Sequence, residues 1–224
     1  FGSGWPQVQI LFPRFVFCIM KQVPFIVKEN FLSDDEFRLV TEESQRLMMY
    51  LIDGKFSRPA KDKDGKILKQ NKGLSYDDHY ESAAESSDTV KILKRKLFDE
   101  NLFSEFEDQT LVDLSQTIDW AGMMMSYYEN EDHYKRHFDA SFITGLLWID
   151  VKPRKYMGGE FLLYNGTDRD NPDRAMTFQP VNNRFIAFPG CYLHEVRPVV
   201  MSERWNGLGH GRFCISVFCG HKSA

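Results

Sequence analysis

Two residues that commonly bind metal ions, His137 and Asp139, stand two positions apart. On an extended strand, side chains two positions apart point to the same face, so a metal ion could lie between this imidazole and this carboxylate. His194, on a later segment, can supply a third ligand. Two histidines and one carboxylate leave coordination positions open, as in non-haem Fe(II) sites that bind a co-substrate and O2. A lone His-x-Asp is usually a surface or core pair, so the prediction depends on the residues around it.

Arg212 and Ser216 lie in the last apolar segment, residues 212–219, and the two-residue period of a strand places them on one face. We expect both side chains to point into the protein. A guanidinium in an apolar interior needs an anion, and its planar donors fit a carboxylate such as the distal one of 2-oxoglutarate. The alternative is an arginine at a strand end that reaches solvent.

The elements that must position these residues are mainly β-strands. After Trp120, short segments rich in aromatic and aliphatic residues alternate with turn residues, which is typical of an all-β architecture. The predicted strands are residues 123–128, 134–139, 143–150, 160–164, 175–179, 184–188, 194–199 and 212–219.

The first part of the chain is predicted to be helical support. Ser33 to Glu36 form a capping box, and apolar residues then recur at helical spacing until Asp53-Gly54. A second helix is expected at 90–98. The intervening stretch, 54–87, is polar, and we interpret it as a long loop that is either a lid or binding loop or a solvated excursion.

Composition excludes several classes of protein. A chain of 224 residues with 42% hydrophobic and 27% charged residues suits one soluble domain. We place this domain at residues 20–224, with supporting helices at 33–100 and a β core at 120–220. A net charge of -4 with no dense basic block argues against nucleic acid as a partner. The apolar run near the start is too short to span a membrane, and no signal peptide is evident. Residues 1–19 are interpreted as an extension or a tag-derived segment.

Compartment and assembly are less constrained by the sequence. Four irregularly spaced cysteines fit neither a disulfide framework nor a zinc knuckle and indicate a reducing, cytoplasmic location. The oligomeric state stays open.

The ordered set of motifs resembles the prolyl 4-hydroxylase-like branch of the 2-oxoglutarate/Fe(II) dioxygenases. The resemblance covers most of the chain from Met20. The segments that carry it are Tyr128 with 134–139, the strand 144–149, Gly158-Gly159-Glu160, the strand 183–188, the segment 194–199 with its histidine, and the closing strand 212–218.

The resemblance implies a fold, a reaction and a set of ligands. The fold would be α+β but mainly β, a double-stranded β-helix of the jelly-roll or cupin-like type with N-terminal supporting helices. Fe(II) would be held by His137, Asp139 and His194, with 2-oxoglutarate and O2 as co-substrates and ascorbate as reductant. The substrate would be a prolyl residue in a peptide or protein, or else a free amino acid or small molecule, and the product an alcohol.

The expected 2-oxoglutarate contacts are Arg212, Ser216, Tyr128 and Trp148. Two departures from the family pattern bear on them. Many relatives carry the basic residue about ten positions after the distal histidine, where this chain has Arg204, so Arg204 is the reserve candidate. Trp148 stands where relatives often have a tyrosine that contacts the same carboxylate. Tyr128 could also be a core aromatic residue.

Two other classes of protein remain open at this point. One is a zinc or manganese enzyme, or a cupin-like isomerase, on a similar barrel. That reading requires a further ligand, for which His133, expected in a turn, is the nearby candidate. The other is a non-catalytic jelly-roll binding module.

Overall fold

The computed structural model describes residues 23–57, 59–165 and 175–221. The prediction for residues 1–19 therefore lies outside the described residues. No helix in the described ranges is long and apolar enough to cross a membrane.

Antiparallel strands dominate the described chain. They are β1 (Ile26–Lys28), β2 (Ile52–Asp53), β3 (Lys69–Gln70), β4 (Lys72–Ser75), β5 (Trp120–Tyr128), β6 (His133–His137), β7 (Ile143–Ile149), β8 (Tyr156–Gly158), β9 (Phe161–Tyr164), β10 (Ala175–Phe178), β11 (Arg184–Pro189), β12 (His194–Val196), β13 (Val199–Met201) and β14 (Arg212–Gly220). The helices are α1 (Asp34–Leu47), α2 (Tyr76–His79), α3 (Ala83–Ser86), α4 (Asp88–Lys94) and α5 (Gln109–Ser115). Short 3-10 turns occupy Met48–Tyr50, Gly54–Phe56, Leu102–Glu105 and Glu203–Trp205, and a π-helical turn occupies Arg95–Asp99.

Two sheets form the body of the fold. The larger has the order β1-β11-β7-β14-β5-β4-β2, and the smaller has the order β10-β9-β12-β6-β3. Strands adjacent in sequence, such as β5 and β6 or β6 and β7, lie in opposite sheets, so the chain winds from one sheet to the other. This winding is the double-stranded β-helix that the sequence predicted.

The central strands of the larger sheet are apolar on both faces because each face is covered. Along β14, Ile215 and Val217 pack into a cluster shared with the helices, whereas Cys214 packs into a second cluster between the two sheets. The same alternation holds on β7, where Leu147 faces the helices and Leu146 faces the smaller sheet. Burial on two sides therefore explains why these strands read as nearly continuous apolar runs.

Helix α1 begins where the capping box predicts. Ser33 Oγ accepts from the backbone N–H of Glu36, whose carboxylate accepts from the backbone N–H of Ser33 at 2.8 Å. The helix ends at Leu47, earlier than expected, and a 3-10 turn continues the chain. The second predicted helix is present as α4 followed by the π-helical turn.

The prediction of a long loop over residues 54–87 is wrong in its second half. This stretch contains β3, β4, α2 and α3. Strand β3 pairs with β6 at the edge of the smaller sheet, whereas β4 lies between β5 and β2, which forms the edge of the larger sheet. Edge strands are held by main-chain hydrogen bonds and tolerate polar side chains, and composition therefore gave no sign of them. Strand β1, at the other edge of the larger sheet, was also missed.

The predicted strand at 194–199 is also corrected, since it is two strands. β12 pairs with β6 and β9, whereas β13 pairs with β8. Pro198 lies between them and has no backbone N–H to donate to a ladder, which favours a break at this point. His133, expected in a turn, is the first residue of β6.

Candidate metal centre

The three candidate metal ligands meet at one end of the smaller sheet. His137 is the last residue of β6 and His194 is the first residue of β12, and the two residues are directly paired across the two strands. Asp139 follows β6, and its backbone N–H donates to Gly190 O at 2.9 Å. Asp139 Oδ1 lies 3.7 Å from His137 Nε2, and its Oδ2 lies 3.3 Å from His194 Nε2. One ligand atom from each residue falls within 4.8 Å of the others, a spacing that can hold a metal ion.

Backbone carbonyls orient both imidazoles. His137 Nδ1 lies 2.8 Å from Lys135 O, and His194 Nδ1 lies 2.9 Å from Tyr192 O. A carbonyl only accepts, so each Nδ1 carries the proton of that hydrogen bond, and each Nε2 is the ring nitrogen turned toward Asp139. This is the arrangement that metal-binding histidines require.

Burial sets the charges of the site. It lowers the pKa of His137 to about 3, with repulsion from His194 acting in the same direction. For Asp139 burial opposes ionisation, but its interactions with His194 and His137 and a hydrogen bond from Thr144 outweigh burial and lower the pKa to about 2. The resulting neutral imidazole and ionised carboxylate are the forms that bind metals.

Thr144 fixes the carboxylate of Asp139. Its Oγ1 donates to Asp139 Oδ2 at 2.7 Å and lies 2.7 Å from Ser141 Oγ. Thr144 is 1% exposed, so solvent cannot replace this bond.

We expect Thr144→Val, which removes the hydroxyl at nearly constant shape, to weaken Mn(II) binding about 10–100-fold, the usual effect of losing a partner of a metal ligand. Calorimetric titration with Mn(II) measures it. Thr177→Val, at an exposed position of β10, is the matched control. An unchanged dissociation constant in Thr144→Val would show that the hydroxyl does not orient Asp139.

A pocket between the two sheets opens beside the triad. The space inside it, counted together with the open solvent at its mouth, is about 460 Å³. The residues that line it are Lys69, Met124, Ser126, Tyr128, Tyr134, His137, Asp139, Leu146, Phe161, His194, Val196, Arg212, Cys214, Ser216 and Phe218. Apolar walls with a few polar groups are suited to a small organic ligand bound next to a metal ion.

Arg212 is the most unusual polar group of this pocket. It is 1% exposed, and its Nε and both terminal nitrogens have no hydrogen-bond partner among the described residues. The guanidinium carbon lies 4.9 Å from the ring centre of Tyr128 and 5.8 Å from that of Trp148. A buried cation with every donor free is costly unless an anion binds it.

Gly159 makes room for the Arg212 side chain. Its φ is +69°, and a Cβ at this position would lie 2.7 Å from Arg212 Cδ and 2.9 Å from Val199 Cγ2. The Gly-Gly-Glu turn seen in the sequence thus has a steric reason.

The other predicted ligand contacts fall close to Arg212. Ser216 and Tyr128 line the pocket, and burial raises the pKa of the Tyr128 phenol, which keeps it protonated as a donor. Trp148 is fully buried beside the guanidinium, and its Nε1 has no partner among the described residues. Arg204, the reserve candidate, is exposed and stacks on Trp205 outside the pocket. Among the described residues, His133 does not join the group of metal-binding type.

Sequence reasoning missed Lys69. Its side chain is 9% exposed, lines the pocket and donates to Ser57 Oγ at 3.0 Å. Burial lowers its pKa to about 8, against the attraction of Asp139, so the amine remains protonated at neutral pH. The residue lies in the stretch interpreted as a loop, and only the pairing of β3 with β6 brings it to the triad.

Comparisons with known proteins agree with this geometry. The family model described as 2OG-Fe(II) oxygenase superfamily matches residues 123–211, which include all three candidate metal ligands. No curated protein matches the chain.

Solved structures share the fold at low sequence identity. A prolyl-4-hydroxylase from Pseudomonas putida is 12% identical, with a TM-score of 0.57 over 90% of this chain and 94% of the other. A prolyl hydroxylase from Trichoplax adhaerens, in complex with a hypoxia inducible factor peptide fragment, is 15% identical, with a TM-score of 0.57 over 88% and 83%. The non-heme alpha ketoglutarate dependent epimerase SnoN from nogalamycin biosynthesis is 12% identical, with a TM-score of 0.56 over 89% and 79%. At such identities the likeness establishes the fold alone.

Proposed function

We propose, from the match of residues 123–211 to the 2OG-Fe(II) oxygenase superfamily, that this chain is an Fe(II)- and 2-oxoglutarate-dependent dioxygenase that hydroxylates a C–H bond. The observation that carries the proposal is the guanidinium of Arg212, which has no hydrogen-bond partner in the described part of the chain and lies in the same pocket as the His137, Asp139 and His194 triad. A metal site alone fits many enzymes. A metal site beside a buried cation without an anion fits a co-substrate that both chelates the metal and ends in a carboxylate.

The residues fit this ligand set. The two imidazole Nε2 atoms and the Asp139 carboxylate would hold Fe(II), the metal expected for two histidines and one carboxylate with open positions. Arg212 would pair with the distal carboxylate of 2-oxoglutarate through its planar donors. Ser216, the Tyr128 hydroxyl and Trp148 Nε1 would supply further hydrogen-bond donors near the same pocket.

The protein groups bind, orient and exclude water. Thr144 and the carbonyls of Lys135 and Tyr192 fix the directions of the three ligands before any ion arrives. Leu146, Phe161, Val196 and Phe218 form apolar walls that keep water from the reacting groups. With O2, the bound iron supplies the oxidant while 2-oxoglutarate loses CO2 to become succinate, so that one oxygen atom enters succinate and the other enters the C–H bond.

A prolyl residue in a peptide or protein is the proposed substrate. Two of the similar structures are prolyl hydroxylases, and one of them holds a peptide fragment. Ala60 lies next to the pocket of this chain, since its backbone N–H donates to the hydroxyl of the pocket-lining Tyr134 at 2.9 Å. Free amino acids and other small molecules are the alternative substrates.

Product analysis tests the proposal. We expect the protein, incubated with Fe(II), 2-oxoglutarate and ascorbate under air, to form succinate faster when a library of proline-containing peptides is added. One peptide class should gain one oxygen atom by mass spectrometry, and fragmentation should place it on proline. If a free amino acid is hydroxylated instead, the dioxygenase proposal stands and the prolyl substrate is replaced by that amino acid. The absence of succinate under all conditions would contradict the dioxygenase proposal.

A further inference from the structure

Lys69 places a second cation in the pocket, and the proposed reaction does not use it. The residue lies on β3, opposite Tyr134 of β6, and its Nζ is 5.5 Å from the centre of the Tyr134 ring. That ring in turn stacks on His137, with 3.5 Å between the ring centres. The ammonium group is thus placed one ring away from a metal ligand.

The ammonium has no anionic partner within hydrogen-bond distance among the described residues. Its contacts are Ser57 Oγ at 3.0 Å and Met124 Sδ at 3.5 Å, both uncharged. Within the described ranges, no carboxylate oxygen comes within 4.0 Å of Lys69 Nζ. Asp139 attracts the ammonium through space, but Thr144 and the two histidines already engage its oxygens. A buried lysine usually has a counter-charge, so the structure leaves a position for one.

The two cations serve different parts of the pocket. Lys69 contacts Met124, whereas Arg212 lies over Tyr128, four positions farther along β5. Four residues of a strand span about 13 Å. The β5 positions that the two cations contact therefore lie far apart, which leaves Lys69 available to a carboxylate other than the one at Arg212.

We propose that Lys69 binds a carboxylate of the substrate, so that the substrate is acidic close to the C–H bond that reacts. The inference rests on the proposed function, since it takes the Arg212 end of the pocket as the co-substrate site. Two sources could supply this carboxylate. One is the free carboxylate of an amino acid, and the other is an acidic side chain beside the target residue of a peptide.

Two matched pairs of probes separate the sources. N-acetylproline against N-acetylprolinamide tests a free carboxylate, and a proline-containing peptide with Asp next to proline against the same peptide with Asn tests a side chain. Binding of each probe is measured by calorimetry on the whole chain with Mn(II) and 2-oxoglutarate, without O2, so that no turnover is needed.

We expect the wild-type protein to prefer the acidic member of at least one pair by about 10–150-fold, the effect of one hydrogen bond to a charged group. Lys69→Met should remove this preference, and Lys69→Arg should retain part of it. Lys66→Met, which removes an exposed lysine just before β3, is the control for net charge. If Lys69→Met does not fold, Lys69→Gln gives the same comparison.

Three results would overturn the inference. The first is that the wild type shows no preference for the acidic member of either pair, and the second is that the preference survives in Lys69→Met. The third is that Lys69→Met loses more than about 10-fold of its affinity for 2-oxoglutarate, which would place the co-substrate at Lys69. If the preference depends on Lys69 but the wild type never forms succinate, the proposed function fails while the carboxylate site stands.

Discussion

His194→Ala should abolish 2-oxoglutarate turnover and weaken Mn(II) binding by more than the roughly 10–100-fold expected for a partner of a metal ligand. The variant removes one of the three candidate ligands, and backbone hydrogen bonds already aim the Nε2 atoms of the two histidines at Asp139. Without the metal, His194 contributes mainly packing against Phe188 and Phe161. We therefore expect the metal-free variant to stay folded.

Calorimetric titration with Mn(II) and a succinate assay with Fe(II) measure the two effects. His133→Ala is the matched control, because His133 lies on the same strand as His137 but outside the group of three. Equal Mn(II) affinity in the wild type and in His194→Ala would place the metal elsewhere. An equal loss in His133→Ala would mean that the four-ligand alternative describes the site better.

Arg212→Met should weaken 2-oxoglutarate binding by about 3 kcal/mol, roughly 150-fold, since a charge-assisted contact of a buried group is lost. Mn(II) affinity should stay within about twofold, because Arg212 contacts none of the three ligands. Methionine has a similar length and leaves no donor unsatisfied. The variant without ligands should therefore be at least as stable as the wild type, since the wild-type guanidinium has no hydrogen-bond partner among the described residues.

Calorimetry with 2-oxoglutarate in the presence of Mn(II), together with thermal unfolding of the ligand-free protein, tests both statements. Arg204→Met is the control, since Arg204 is exposed and stacks on Trp205. If Arg204→Met lost affinity for 2-oxoglutarate and Arg212→Met did not, Arg204 would replace Arg212 as the candidate that binds the co-substrate. A destabilised Arg212→Met protein would indicate that the arginine has a structural role and would weaken the argument for an anion.

The parts of the site that follow from local pattern could be predicted from sequence. The two-residue spacing of His137 and Asp139, and the apolar segment that begins at Arg212, fix which side chains share a face. The core strands could be predicted because their sequences are continuous apolar runs, which are buried on both sides of the sheet. These features depend on neighbours in the chain, which a sequence displays directly.

The parts that depend on pairing between distant segments could not be predicted. Lys69 reaches the pocket only because β3 adds to the edge of the smaller sheet through main-chain hydrogen bonds with β6. Main-chain pairing leaves little trace in residue type at a polar edge. The spacing of the motifs did not decide between Arg204 and Arg212. Their placement supports the proposal of Arg212, since Arg204 is exposed and Arg212 lies 1% exposed in the pocket.

The most direct test of the central claim is a crystal structure of the protein with Mn(II) and 2-oxoglutarate, prepared without O2. We expect the ion bound by the Nε2 atoms of His137 and His194 and by the Asp139 carboxylate, with the distal carboxylate of 2-oxoglutarate on the Arg212 guanidinium. A metal ion bound without these three residues, or a 2-oxoglutarate carboxylate held away from Arg212, would contradict the assignment of this pocket as a dioxygenase active site.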